Sequence, residues 1–244
     1  YKRNAIYKAD FFFLQHCIIY MKNLGVNSAF CKGRTGQSSN MVVSSKKERD
    51  VCCEMLGYDK NHFVITGIPA YGLIERNHLN QESEDYAVVM LTWKPYEEQI
   101  TDITKSSYYE NVQEIVEILK RHIESEKIIV LGHPKIYSTW SRTNPAIKLW
   151  DRPVSEALEK AKLLVTDYSS VCYNTFYQGG GVIFYQPDLE QYEAENGPLI
   201  PADDEYIGPR TFDISSFEEV ISRSIKEKSI VLEEVRNQKH EEIY

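Results

Sequence analysis

The residues best suited to chemistry lie where apolar, strand-like segments end. The run Leu163-Leu164-Val165 stops at Thr166-Asp167-Tyr168-Ser169-Ser170, and a helical pattern follows over residues 171–177. At such a junction, serine hydroxyls and free backbone N–H groups at the helix start can bind a phosphate group. The alternative is that Ser169 and Ser170 only cap the helix, because serine is a common capping residue.

Two histidines directly follow strand-like segments. His16 comes after the apolar run at residues 10–14, and His133 follows the run at residues 128–132 and precedes Pro134, which restricts the turn. An imidazole with a pKa near neutrality can take a proton from an alcohol or donate a hydrogen bond to a phosphoryl oxygen. His16 could equally be a histidine that ends a strand and bonds a backbone carbonyl.

A lysine ends a further strand-like segment in the same way. Thr92-Trp93-Lys94 follows the apolar run at residues 86–91. Lys94 could contact a phosphate, or it could be a solvated surface lysine, since lysine is most often exposed. Trp93 is better suited to packing.

Strand-like segments alternate with helical patterns, which is typical of a parallel sheet with right-handed crossovers. The polar segment at residues 75–85 interrupts the alternation and indicates a domain junction. The predicted strands cover residues 10–14, 40–43, 62–66, 86–91, 127–131, 163–166 and 182–185. The predicted helices cover residues 46–56 after a Ser44-Ser45 cap, 108–124, 153–161, 171–177 and 216–232.

Several motifs, in this order along the chain, resemble those of the CDP-glycerol glycerophosphotransferase family, the teichoic acid and capsule polymerases. The resemblance covers residues 11–225. Its segments are Leu14-Gln15-His16, Thr92-Trp93-Lys94, Gly132-His133-Pro134, Thr166-Asp167-Tyr168-Ser169-Ser170, the run from Phe184 to Tyr192, and Ile207-Gly208-Pro209.

The resemblance implies an α/β fold of the GT-B type, in which two Rossmann-like domains face each other across a cleft. Residues 1–78 would be the latter part of the acceptor-side domain, whose beginning we expect to be missing. Residues 86–232 would be the domain that binds the CDP-polyol donor, and residues 233–244 would form a polar tail. Ligands of such folds bind at the carboxyl ends of the strands.

The resemblance also implies roles for the candidate residues. His16 would be the catalytic base, and His133 would act at the donor phosphate. The donor-binding residues would be Lys94, Thr166, Asp167, Ser169, Ser170 and Glu190. Of these, Asp167 would orient its loop or a neighbouring histidine, and Glu190, with Asp188, would reach the ribose hydroxyls.

This sequence departs from the family pattern at four positions. Cys17 stands where the family usually has glycine, and Lys94 stands where it has arginine, so the charge remains without the bidentate fork. Ala70 and Gly72 replace an arginine and an aspartate, which indicates a different acceptor or polyol.

Composition excludes several other classes. The 36 acidic residues outnumber the 28 basic ones, and the net charge of −8 argues against broad nucleic-acid binding. The five cysteines form no Cys-x-x-Cys pair, which argues against a zinc site and favours a reducing cytosol. Neither a dinucleotide-binding nor a Walker glycine pattern occurs, and we expect no metal and no cofactor. A cluster of basic residues between Lys32 and Arg49 could meet an anionic membrane or polymer, or it could be a solvated helix face.

Together these observations predict an enzyme that transfers glycerol phosphate or ribitol phosphate from a CDP-activated donor to an acceptor hydroxyl and releases CMP. The expected partners are the CDP-polyol and a lipid-linked or polymer acceptor. The family implies a cytoplasmic protein attached peripherally to the inner leaflet of the plasma membrane. Two alternatives remain: another GT-B enzyme, either a sugar-nucleotide glycosyltransferase or an epimerase, or a nucleotide-binding module without catalysis.

Overall fold

The computed structural model describes residues 10–15, 17–23, 28–68, 71, 86–227 and 233–244. These residues form two parallel sheets with helices between their strands. The strands are β1 (Phe12–Phe13), β2 (Asn40–Val43), β3 (Phe63–Ile65), β4 (Tyr86–Met90), β5 (Ile128–Val130), β6 (Ala161–Thr166), β7 (Gly181–Tyr185) and β8 (Arg210–Thr211). The helices are α1 (Lys46–Leu56), α2 (Ser107–Leu119), α3 (Tyr137–Thr143), α4 (Val154–Glu159), α5 (Val171–Tyr177), α6 (Leu189–Asn196), α7 (Ile214–Glu227) and α8 (Glu233–Ile243).

The first sheet has the order β1-β2-β3, and all its neighbouring strands are parallel. Helix α1 follows β2 and buries Cys52 and Leu56 against this sheet. Ser45 is the N-cap of α1, as predicted, and its side chain accepts a hydrogen bond from the N–H of Glu48. Gly57 ends the helix in the left-handed conformation, with a φ of 76°, which glycine adopts without strain.

The second sheet has the order β5-β4-β6-β7-β8 and is also parallel throughout. Strand β4 lies between β5 and β6, so the chain passes from β4 to the edge strand β5 and then returns past β4 to β6. Helix α2 buries Val112, Ile115, Val116 and Leu119, whose spacing of three and four residues places them on one face. Helix α2 contacts α7, and α4 contacts α5.

The chain divides into two compact units whose boundaries differ from the expected domains. The first unit comprises Tyr1–Glu75, Glu190–Tyr206 and Glu233–Tyr244, and the second comprises Arg76–Leu189 and Ile207–Leu232. Within the first unit, the ammonium of Lys47 lies 2.8 Å from a carboxylate oxygen of Glu205 and 3.7 Å from one of Glu242. This lysine therefore joins α1 to the two later segments.

The expectation of a polar tail at residues 233–244 is corrected. This segment forms α8, which contacts α1. Ile243 is buried, and its carbonyl oxygen accepts a hydrogen bond of 2.9 Å from the Ser44 hydroxyl. The sequence pattern is almost entirely polar, and its few apolar side chains gave no clear helical periodicity.

Candidate functional site

The junction between β6 and α5 centres on Asp167, which is 3% exposed. Its carboxylate accepts hydrogen bonds from the N–H of Thr92, at 2.9 and 3.1 Å, and from the N–H of Tyr168, at 2.6 Å. The side chain thus holds the segment after β4 against the segment after β6. Thr166, which precedes it, is fully buried and donates its hydroxyl to the carbonyl of Met90 at 2.6 Å.

Lys94 lies between two carboxylates. Its ammonium is 2.8 Å from Asp167 Oδ2 and 3.2 Å from Asp188 Oδ2, and it lies 4.1 Å from the centre of the Tyr168 ring. The residue is 5% exposed. The reading of Lys94 as a solvated surface residue is therefore wrong, and its charge is engaged by acidic partners.

Asp188 belongs to the same cluster from the end of β7. Its carboxylate accepts hydrogen bonds from the hydroxyls of Tyr168, at 2.8 Å, and Tyr96, at 2.9 Å. Burial raises the pKa of this carboxyl, but the charge of Lys94 and the two tyrosine hydroxyls outweigh burial and hold the pKa below its ordinary value. Asp188 therefore stays ionised next to Lys94.

The two serines of the junction are only partly engaged. The Ser169 hydroxyl accepts a long hydrogen bond of 3.4 Å from the N–H of Val171. Ser170 precedes α5 directly, but its side chain makes no capping hydrogen bond there. Capping alone therefore does not account for Ser170, and both side chains are only partly buried.

His133 follows β5 at the same edge of the sheet. Its Nδ1 accepts a hydrogen bond of 3.3 Å from the N–H of Lys135, at the start of a short 3-10 helix, Pro134–Ile136. Because Nδ1 is the acceptor, the proton of the neutral ring lies on Nε2, which is then a donor. Strands β5 and β6 flank β4, so the segments that carry His133 and Asp167 start about 10 Å apart.

The cluster lies at the point where the strand order reverses. Asp167 and Lys94 follow the neighbouring strands β6 and β4. The strand after β4 lies towards one edge of the sheet, and the strand after β6 lies towards the other edge. In open parallel α/β sheets, ligands bind outside the carboxyl ends of the strands at such a point. The geometry therefore favours a ligand site here.

The segment Ile207-Gly208-Pro209 reaches the cluster through β8. A Cβ atom on Gly208 would lie 1.9 Å from the carbonyl oxygen of Val182, so only glycine fits there. Next to it, Arg210 donates from Nε to Gln186 Oε1 at 2.8 Å, and Gln186 Nε2 donates to the Asp167 carbonyl at 3.0 Å. These bonds connect β8 to the loop after β6.

The remaining predicted residues are not among those described in this cluster. Glu190 is exposed in the first turn of α6 and belongs to the first unit. His16 and the departures Ala70 and Gly72 lie outside the described residues.

The cluster includes residues that we did not select from the sequence: Tyr96, Tyr168, Gln186 and Arg210. Asp188, which was named in the sequence analysis, could be recognised because it follows β7 much as Asp167 follows β6. The tyrosines carried none, because a tyrosine after a strand is most often a packing residue.

Some absences hold for the described part of the chain. No group of three or more His, Cys, Asp or Glu side chains there is arranged to hold a metal ion. No described helix combines the length and the apolar character that crossing a membrane requires.

The family model described as CDP-Glycerol:Poly(glycerophosphate) glycerophosphotransferase matches residues 8–242. The chain belongs to this family. The resemblance drawn from the ordered motifs is thus confirmed over nearly the whole sequence.

Named relatives agree with this assignment. The minor teichoic acid biosynthesis protein GgaB of Bacillus subtilis (strain 168) is 22% identical over an alignment of 210 positions, and the match covers 74% of this chain and 21% of GgaB. The chain therefore spans about a fifth of the length of that relative.

Solved structures of the wall teichoic acid polymerase TagF share the fold of this protein. One has a TM-score of 0.67 at 12% identity and covers 97% of this chain and 64% of TagF. A variant of TagF with CDPG has a TM-score of 0.61 at 14% identity, over 92% of this chain and 61% of that one. The predicted α/β fold of the GT-B type is confirmed.

Proposed function

We propose that this protein transfers a polyol phosphate, glycerol phosphate or ribitol phosphate, from a CDP-activated donor to an acceptor hydroxyl in teichoic acid or capsule polymer synthesis. The observation that carries the proposal is the cluster of Asp167, Lys94 and Asp188 at the reversal point of the second sheet, in a chain of this family. The TagF structure with CDPG supports the choice of donor.

In the proposed reaction, the acceptor hydroxyl attacks the phosphorus that carries the polyol. A new P–O bond forms, the bond to the CMP oxygen breaks, and CMP leaves with the bonding electrons. His16 takes the proton of the attacking hydroxyl. Such a transfer requires positioning of the reactants and donors for the charge that develops on the phosphoryl oxygens.

The donors for that charge come from two junctions of the second sheet. The Nε2–H of His133 and the hydroxyls of Ser169 and Ser170 donate to the phosphoryl oxygens. The hydrogen bond from Lys135 to Nδ1 keeps His133 in the required tautomer.

The role of Lys94 follows from its partners. The ammonium of Lys94 and the carboxylates of Asp167 and Asp188 together carry one net negative charge, which would repel a phosphate placed directly against either aspartate. We therefore assign Lys94 to holding Asp167 and the two loops in place, with its charge reducing that repulsion. The phosphates are bound by the serines and His133.

The acceptor and the location belong to the same proposal. We propose a lipid-linked or polymer acceptor on the side of the first unit, and a protein held peripherally at the inner face of the plasma membrane. The names of TagF and GgaB support a wall polymer as the product.

The test is CMP release from CDP-glycerol and from CDP-ribitol with a crude membrane acceptor. We expect release with one of the donors, loss of release in His16→Ala, and no change in His122→Ala, whose exposed imidazole lies after α2. Release of a nucleotide from UDP- or GDP-sugars, with none from either CDP-polyol, would overturn the assignment.

A further inference from the structure

The first unit contains a buried carboxylate that the proposed mechanism does not use. Glu48 is 1% exposed, although it lies in the first turn of α1. Its Oε1 accepts a hydrogen bond of 2.6 Å from the N–H of Ile19, and its Oε2 accepts one of 2.6 Å from the N–H of Ser44. One side chain thus joins the segment after β1 to the segment after β2.

Burying this carboxylate is unfavourable. The hydrogen-bond partners that the described residues give Glu48 are neutral N–H and hydroxyl groups, and burial raises the pKa of its carboxyl despite them. The helix start does not require this side chain, because the Ser45 hydroxyl already caps the N–H of Glu48 at 3.2 Å. What Glu48 adds is the link to Ile19, across 29 positions of sequence.

The linked segment begins at the proposed base. Ile19 comes three residues after His16, and the side chains of Ile18, Tyr20 and Met21 are at most 3% exposed. Gln15, on the other side of His16, is 4% exposed. Gln15, Ile18, Tyr20 and Met21 are therefore packed, and Ile19 is held by Glu48 through its main chain.

We propose that Glu48 is a positioning residue for His16. The inference rests on the proposed role of His16 as the base. A general base must be within hydrogen-bond reach of the hydroxyl it deprotonates, and a displacement of about 1 Å can cost about 100-fold in rate. By holding the N–H of Ile19, Glu48 restricts the main chain three positions after His16 in the sequence.

The test begins with hydrogen exchange of the unchanged protein. We expect the amide of Ile19 to be protected to a degree similar to the amides of α1, because its hydrogen bond is buried. Rapid exchange at Ile19 would overturn the proposal, whether or not any variant folds.

The variant is Glu48→Gln, which keeps the size of the side chain but turns one of the two oxygens into an NH₂ donor facing a backbone N–H. We expect faster exchange across residues 17–23, a kcat for CMP release lowered at least about 10-fold, and a KM for the CDP-polyol within about twofold. Glu48→Asp, which keeps the charge but shortens the reach, is expected to recover part of the kcat.

The matched control is Ser45→Ala, which weakens the start of the same helix without touching the bond to Ile19. It should lower the unfolding midpoint and leave kcat unchanged. If Glu48→Gln loosens residues 17–23 but keeps its kcat, Glu48 is only structural. If His16→Ala keeps its activity, the proposed function of His16 has failed instead.

Discussion

Glu48 in the first unit and Asp167 in the second both lie near the carboxyl end of a parallel strand, and both accept hydrogen bonds from the backbone of two segments. They differ in charge compensation. Asp167 shares the ammonium of Lys94 with Asp188, whereas the partners described for Glu48 are neutral. A carboxylate therefore joins two segments in each unit, beside a cation at Asp167 and among neutral partners at Glu48. The two sites should respond differently to mutation and to pH.

The largest effect is expected from removing the cation. Lys94→Met removes the ammonium between the buried Asp167 and the partly buried Asp188, which should cost about 3–5 kcal/mol of unfolding free energy in the second unit. Urea unfolding followed by tryptophan fluorescence reports on this unit, because Trp93, Trp140 and Trp150 all lie within it.

The control for this variant is Lys135→Met. Lys135 forms an ion pair with Glu98 on the surface of the same unit, and such exposed pairs contribute less than about 1 kcal/mol. Equal losses in the two variants would contradict the distinction between a buried cluster and a surface pair.

Asp188, which is paired with the ammonium of Lys94, should contribute less stability in acid. The pKa of Asp188 is lowered in the folded protein from its ordinary value of 3.8, so its contribution is complete above 3.8 and is lost as the pH falls below that value and through the lower pKa of the folded state. Unfolding free energies of the wild type and Asp188→Asn, measured between pH 6 and pH 3, should therefore converge as the pH falls. A difference that stays constant would show that the ionised form is not favoured by folding.

The stability contributed by Glu48, whose described partners are neutral, should change with pH in the opposite direction. The pKa of Glu48 is raised from its ordinary value of 4.5, so above pH 4.5 the unfolded chain loses the proton first and the folded state is penalised. The stability of the wild type relative to Glu48→Gln should therefore decrease as the pH rises from 4.5 to 7. Unfolding followed by hydrogen exchange in α1 measures this, and an increase over that range would reverse our account of Glu48.

The smallest effects are expected at the helix caps, where the two units are alike. Ser45 caps α1 and Ser106 caps α2, through hydrogen bonds of 3.2 and 3.0 Å to backbone N–H groups. Each serine-to-alanine variant should cost about 1 kcal/mol. The loss should be confined to the unit that contains the cap, which exchange in α1 and tryptophan fluorescence measure separately; a loss shared by both units would mean that they unfold together.

Local sequence patterns predicted most of the regular elements but did not predict several short or polar ones. The central strands of the second sheet and the buried face of α2 follow from continuous apolar runs and from a helical period, and both signals are local. Strand β8 has two residues, which are too few to show a period, and α3 was not predicted although α5, of the same length, was. Helix α8 is polar on nearly all sides and is held by contacts with α1 that its own sequence does not reveal.

The candidate site, too, could be predicted only in part from the sequence. That Thr92-Trp93-Lys94, His133 and the Asp167 junction follow strands could be read from the chain, because a strand ends where its apolar run ends. That Lys94 contacts Asp167 and Asp188 could not, because the three residues are separated by up to 94 positions and meet only through the order of β4, β6 and β7.

The sequence by itself determined the family, the α/β class and the strand ends at which chemistry can occur, because these depend on local periodicity and ordered motifs. Only the tertiary structure decided which charges are compensated. A lysine, two aspartates and a glutamate are ordinary charged residues along the chain. Partners from other strands hold Asp188 ionised beside a cation, whereas burial raises the pKa of Glu48.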